Sequence, residues 1–261
     1  MSDVSGNKPA GVKRLFWDIE TSPNIGFFWR PGYRVRISHD NIIHERAVIC
    51  ICYKWHGERK VHHLTWNQGD DREMIEQFAE VIDNADELVA HNGDNFDMSW
   101  YNGRHLIHGL EPIAKSKTVD TYKMAVRNFN LNSYKLDYLS KLLLGEGKIH
   151  TEFDLWKKIA LLNDELSMKK MVKYCKRDVV LLERVWERLR SYEDASTHVA
   201  VAESGDPRDK WKCAHCGSDN VMKSKTRTTA KGSVQHQMRC NDCGRYYSIA
   251  NNAFRWYLEC Q

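Results

Sequence analysis

Residues 15–23 read Leu15-Phe16-Trp17-Asp18-Ile19-Glu20-Thr21-Ser22-Pro23. The apolar run predicts a buried strand over residues 12–19, and Pro23 ends it because proline cannot donate to a strand ladder. Side chains alternate along a strand. Leu15, Trp17 and Ile19 therefore share one face, and Phe16, Asp18 and Glu20 share the other. The two carboxylates stand roughly 7 Å apart on that face. Side by side within an apolar run they repel each other and resist burial. A divalent cation would remove both objections, and a frayed, solvated strand end would do so equally well.

The helix over residues 165–190 sharpens the choice. At about 100° per residue, Met171, Cys175, Leu182, Val185, Trp186 and Leu189 form one apolar stripe. Asp178 is the charged residue on that stripe, and Tyr174 lies one turn earlier on its flank, so both can act on one point. A lone buried carboxylate costs several kcal/mol or takes up a proton. It needs a hydrogen-bonding or cationic partner. A third acid follows from residues 88–97, where a strand runs through His91-Asn92-Gly93-Asp94-Asn95 into a helix. Asp94 or Asn95 can cap that helix, whereas Asp97 lies too far inside it to be needed there.

Asp18-x-Glu20-Thr21, His91-Asn92-Gly93-x-x-Phe96-Asp97 and Tyr174-x-x-x-Asp178 resemble, in order, the three motifs of DEDD-type 3′→5′ exonucleases. The third is in the tyrosine form, as in the proofreading domains of family B polymerases. Ser133-Tyr134-Lys135-Leu136-Asp137-Tyr138-Leu139 is similar to the segment before the third motif. The helix bearing Tyr174 has no histidine, which excludes the histidine subtype. The resemblance spans about residues 12–190. It implies an α/β, RNase H-like mixed sheet flanked by helices and a two-metal phosphodiesterase. Asp18, Glu20, Asp97 and Asp178 would hold two Mg²⁺ or Mn²⁺, for which carboxylate oxygens are suited. Such a pair can stabilise both the attacking and the leaving oxygen, and Tyr174 would orient the attacking water. The implied activity is 3′→5′ hydrolysis of DNA, single strands preferred. RNA ends, or branched DNA cut internally, fit the same chemistry. A catalytically inactive binding module and a transposase or integrase are the other readings. The complete set of acids with Tyr174 argues against both. A polymerase or another replication or repair protein on a separate chain is the implied protein partner.

Four of the eight cysteines form two matching frames, Cys213-Ala-His-Cys216-Gly and Cys240-Asn-Asp-Cys243-Gly. Paired Cys-x-x-Cys is the spacing of a four-thiolate zinc site, and disulfides are the alternative. Gly217 and Gly244 follow each pair, where the turn can need a positive φ. His215 and His236 are substitute ligands only if a thiolate is missing. Cys50, Cys52 and Cys175 read as small core residues. Residues 238–247 resemble the zinc ribbons of transposases and other nucleic-acid proteins, which implies one structural Zn²⁺. The intervening hairpin carries Lys223, Lys225 and Arg227, candidate contacts to nucleic acid. Thr21 and Asn92 are further candidate substrate contacts. Residues 25–36 mix aromatics with arginines; a hairpin packing its aromatics inward is the expectation, and a stacking platform for a single strand is the alternative.

The domains expected are a flexible N-terminus over 1–11, an exonuclease domain over 12–190, a linker over 191–210 and a ribbon over 211–261. Further strands are expected over 33–38, 47–55, 60–66 and 87–91, and helices over 71–84, 119–129, 134–144 and 151–162. The 261 residues are 42% hydrophobic and 28% charged, enough to build a core and unlike a disordered tail. No run approaches the ~18 apolar residues of a membrane helix, and the N-terminus lacks an apolar signal. An intracellular, soluble protein of the cytoplasm or nucleoid, with no membrane partner, is expected. The net charge of +4 divides unevenly: residues 206–261 hold 10 basic and 5 acidic side chains, so the whole excess lies in the ribbon segment. That division suggests that substrate is held both at the tail and at the metals.

Overall fold

The computed structural model describes residues 11–32, 35–114 and 116–261. They form two compact units, Arg14–Arg188 and Leu189–Gln261 with the segment before Arg14. In chain order the larger unit has β1 (Arg14–Thr21), β2 (Ile25–Gly26), β3 (Ile42–His44), β4 (Val48–Trp55), β5 (His62–Thr65), α1 (Arg72–Asp83), β6 (Glu87–Ala90) and α2 (Asp97–Ile107). There follow β7 (Lys117–Asp120), α3 (Thr121–Asn128), α4 (Leu136–Leu144), α5 (Asp154–Leu162) and α6 (Glu165–Leu189).

β1 is the middle of a five-stranded mixed sheet of order β5-β4-β1-β6-β7. It runs antiparallel to β4, with Asp18 opposite Cys52 and Glu20 opposite Cys50, and parallel to β6. The alternation read from sequence decides which helix covers which face. Leu15, Trp17 and Ile19 pack with Met74, Ile75 and Phe78 of α1 and Tyr101 of α2. Phe16, on the other face, meets the Trp186 ring of α6 edge-on at 5.3 Å. Each fully buried side chain of this size contributes about 1.5–3 kcal/mol. The α6 stripe is buried as its periodicity predicts, Asp178 included.

Three expectations change. Residues 117–120, placed partly in a helix, form β7, because Leu88–Ala90 of β6 offers them a parallel partner through Thr118, Val119 and Asp120. Helix α3 then starts at Thr121, two residues later than expected, with Asp120 accepting from the Tyr122 and Lys123 amides. The strand expected over 33–38 does not form across 35–38; Tyr33 and Arg34 lie outside the described residues. The described aromatics of the 25–36 segment, Phe27, Phe28 and Trp29, do not pack inward. Ile25–Gly26 pairs with Ile42–His44 in a short two-stranded ribbon, and Phe27, Phe28 and Trp29 beyond it are exposed.

The smaller unit contains α7 (Val199–Ser204), β8 (Val221–Thr228), β9 (Val234–Cys240), β10 (Tyr246–Ala250) and α8 (Asn251–Glu259). Its antiparallel sheet has the order β10-β9-β8. Within residues 191–210, α7 buries Val199 and Ala200, and a 3-10 turn over Pro207–Trp211 brings in the buried Trp211. The Tyr247 hydroxyl donates to the Trp211 carbonyl at 2.7 Å, tying that turn to the sheet.

Candidate active site

Four acids separated in sequence meet at the C-terminal half of β1. Carboxylate oxygens of Asp18, Glu20 and Asp178 lie within 4.8 Å of one another. Asp97 stands at the first residue of α2, not inside the helix as the sequence suggests, and its Oδ1 accepts the Ile19 amide at 3.1 Å. This fastens the start of α2 to the strand carrying the other two acids. The turn before α2 depends on two backbone features. Asn92 adopts φ +62°, and its amide donates to Asp120 Oδ1 at 2.8 Å. A Cβ on Gly93 would lie 2.4 Å from the Ala90 side chain, so only glycine lets the chain reverse against β6.

The acids are held in their neutral form more than free carboxylates are. Burial raises the pKa of Asp18 well above its ordinary range, and the neighbouring Asp97, Asp178 and Glu20 raise it further. Glu20 is raised by burial, Cys50 and Asp178. Burial pushes Asp97 up to about 7. Asp178 is raised by burial, which Lys148 and the Tyr174 hydroxyl partly oppose. Desolvated like charges at this spacing call for a cation.

Sequence reasoning missed the cation the chain itself supplies. Lys148 Nζ lies 2.6 Å from Asp178 Oδ2, and its ammonium sits 5.5 Å from the Tyr174 ring centre. Asp137 places it, with Oδ1 accepting the Lys148 amide at 2.9 Å and Oδ2 paired to Lys141 at 2.6 Å. Lys148 has no periodic signal; it follows the Gly145-Glu146-Gly147 loop, and Gly145 adopts φ +70°. Asp120 was missed because its strand was read as helix. Tyr174 packs edge-on against Trp156 at 6.3 Å, and burial pushes its phenol pKa upward, which favours the neutral form.

Among the described residues, Asp178 is one of the few with a buried oxygen left without a hydrogen-bond partner. Asp178 is 1% exposed, and its Oδ1 has no hydrogen-bond partner. An orphaned carboxylate oxygen beside two further carboxylates is the donor set of a hard divalent cation, so these residues fit Mg²⁺ or Mn²⁺. Cys50, Cys52 and Cys175 are buried beside them, with the Cys175 thiol 3.5 Å from Asp18 Oδ2. Thr21 is buried, its hydroxyl accepting from Arg46 Nε at 2.8 Å. Asn92 Oδ1 accepts from Asn95 at 3.2 Å. His91 Nε2 donates to the Tyr134 carbonyl at 2.9 Å, and burial lowers its pKa to about 4, which keeps it neutral.

In the smaller unit, the sulfurs of Cys213, Cys216, Cys240 and Cys243 all lie within 4.8 Å of one another. Both following glycines adopt positive φ, +78° at Gly217 and +72° at Gly244, as the two turns require. Four thiolates so placed fit a tetrahedral Zn²⁺. Neither histidine joins them. His215 accepts from Arg245, and His236 stacks on Phe254 at 3.8 Å. The candidate contacts on β8 divide. A bulge after Lys223 puts it opposite buried Met238, with its ammonium 5.4 Å from the Phe254 ring centre. Lys225 and Arg227 pair with Gln237 and Gln235, on the open face that also carries Arg239 and Tyr246.

Residues 43–190, more than half of the chain, match the RNase_H superfamily, and the chain belongs to that superfamily. The matched span includes Asp97, Tyr174 and Asp178 and leaves out β1 with Asp18 and Glu20. The family B DNA polymerase from the hyperthermophilic archaeon Pyrobaculum calidifontis has a similar structure, with a TM-score of 0.53 and 15% identity over 74% of this chain. The chain spans about a quarter of that polymerase, 26% of its length. At this identity the likeness is one of fold. The central mixed sheet flanked by helices is the RNase H-like arrangement expected from the motifs. No curated protein matches the chain. Among the described residues, no helix is long and apolar enough to cross a membrane.

Proposed function

We propose that the chain is a divalent-metal-dependent nuclease that hydrolyses phosphodiester bonds from the 3′ end of DNA, preferably single-stranded. The observation that carries this is the buried, unpartnered Oδ1 of Asp178 set against the carboxylates of Asp18 and Glu20. Asp18, Glu20, Asp97 and Asp178 would hold two Mg²⁺ or Mn²⁺. When bound, such ions supply Lewis acidity toward the phosphate and a water acidic enough to attack it.

The chain's own groups act around that centre. The Tyr174 hydroxyl would orient the attacking water by hydrogen bonding, and burial, which raises its pKa, favours the neutral phenol for that role. Lys148 remains charged, because Asp178 and Asp18 outweigh its burial, and it offsets negative charge on the scissile phosphate as well as on Asp178. Asp137 fixes where that ammonium sits. Polarity and the preference for DNA follow the motif resemblance. Cys213, Cys216, Cys240 and Cys243 would hold one structural Zn²⁺, and Lys225 and Arg227 would contact the strand. The similar archaeal structure is a DNA polymerase, which agrees with a separate polymerase, or another replication or repair protein, as partner.

A time course on oligonucleotides labelled at each end, with Mg²⁺, Mn²⁺ or EDTA, tests the reading. A ladder shortening from the 3′ end, absent in EDTA, is expected. Shortening from the 5′ end, cutting of a circular substrate, or faster digestion of the matched RNA would replace the exodeoxyribonuclease assignment. Absence of any metal-dependent cleavage would remove the nuclease reading.

A further inference from the structure

The arm between β2 and β3 carries three consecutive exposed aromatic side chains. Phe27 is 74% exposed, Phe28 55% and Trp29 fully so. Val35 and Ile37, further along the arm, are also exposed. A soluble surface rarely carries neighbouring aromatics this bare without a partner for them.

The arm is fixed at its root. Phe27 N donates to the Asn41 carbonyl at 2.9 Å, and a Cβ on Gly26 would meet that carbonyl at 2.5 Å. Below it, Arg46 binds both sides of the entry: its amide donates to Asn24 Oδ1 at 2.7 Å and its Nε to Thr21 Oγ1 at 2.8 Å. The same guanidinium lies 4.6 Å from the Trp100 ring centre. Thr21 follows Glu20 directly, so the root of the arm is continuous with the rim of the acidic cluster.

The chemistry of the arm selects its occupant. Residues 24–39 contain Arg30, Arg34 and Arg36 and no acidic residue. Flat rings among cations match a polyanion with exposed flat faces, which is an unpaired nucleic-acid strand. A purely apolar protein partner would leave the arginines without counter-charges.

We propose that Phe27, Phe28 and Trp29 form a stacking site for unpaired bases of the strand whose end enters the acidic cluster. The choice of strand rests on the nuclease reading; the stacking itself does not. Each stacked base contributes about 1–3 kcal/mol, or roughly 5- to 150-fold in affinity.

The test uses the full chain in EDTA. Fluorescence polarisation measures binding of a labelled oligothymidylate and of an abasic strand of equal length, which keeps the phosphates and lacks the bases. The expected result is that the wild type favours the strand with bases by roughly tenfold or more. Phe28→Ala/Trp29→Ala should erase that preference and keep the affinity for the abasic strand. Trp29→Tyr should retain the preference and Trp29→Leu should lose it, which separates stacking from plain apolar burial. Circular dichroism verifies that each variant is folded. A preference unchanged in the double variant overturns the proposal. So does an unchanged preference accompanied by loss of self-association in sedimentation or of binding to phosphatidylserine vesicles, which would assign the arm to a second copy or to a membrane. If the wild type shows the preference but never cleaves with Mg²⁺, the nuclease reading fails and the stacking site stands.

Discussion

Asp18 is the acid with the most like-charged neighbours, and its replacement separates stability from chemistry. Asp18→Asn keeps the shape and removes one charge from a desolvated group of four. In EDTA the variant should melt higher than the wild type, because burial and three acids disfavour the charge it loses. Hydrolysis should fall by at least about 100-fold, since a donor to the cation is gone. Calorimetry and an end-labelled digest check the two halves; a variant that is both less stable and fully active would contradict the assignment. Tyr174→Phe should lower the rate at saturating substrate by roughly tenfold, the worth of one hydrogen bond, and leave Mn²⁺ affinity unchanged. An unaltered rate would take the phenol out of the reaction. The acids and Tyr174 were legible in the sequence because residue type and period coincide: one charge on an apolar stripe, two carboxylates in strand alternation. Lys148 and Asp120 were not. Both sit where loops and short elements end, and only tertiary contact brings them to Asp178 and Asn92.

At the level of elements, the turn from β6 into α2 decides where Asp97 stands. Gly93→Ala forces a contact with Ala90 that neither backbone can relieve. It should cost about 2 kcal/mol in urea denaturation and lower cation affinity as Asp97 is displaced. A neutral effect would mean that the turn yields more easily than its packing suggests. The three-stranded sheet of the smaller unit allows a comparison between its two faces. Lys225→Ala/Arg227→Ala/Arg239→Ala should weaken single-strand binding and reduce the slope of log affinity against log salt by roughly 2. Lys223→Ala, on the Phe254 side, should leave that slope nearly unchanged. Equal effects from both variants would show that charge acts without regard to face. The bulge that separates Lys223 from Lys225 has no signature in the sequence, where two lysines at i and i+2 read as neighbours on one face. β1, β4, α1 and α6 were readable because each repeats its period several times. β7, with four residues, does not, and its parallel pairing to β6 outweighs local helix preference. The aromatic arm reads as a hairpin, yet its rings find no core to enter.

The pH dependence belongs to the whole molecule. Above pH ~4 an unfolded Asp97 has released its proton, whereas the folded one keeps it until about 7. The folded state therefore binds more protons across that window, and stability falls as pH rises through it. Asp18 and Glu20 act in the same direction. In EDTA the melting temperature should drop by roughly 5 °C between about pH 5 and about pH 7.5, and Mg²⁺ or Mn²⁺ should abolish the drop. A flat profile in EDTA would show that the acids are ionised and already compensated by Lys148. The order of the chain adds a consequence during synthesis. Asp18 and Asp178 meet across 160 residues of sequence. At ~5–20 residues per second, roughly 8–32 seconds separate their emergence from the ribosome. Until the last long helix docks, the growing polypeptide carries only scattered acids that bind cations weakly. The cluster of acids therefore forms in one late step of chain growth, when the segment bearing Asp178 reaches β1.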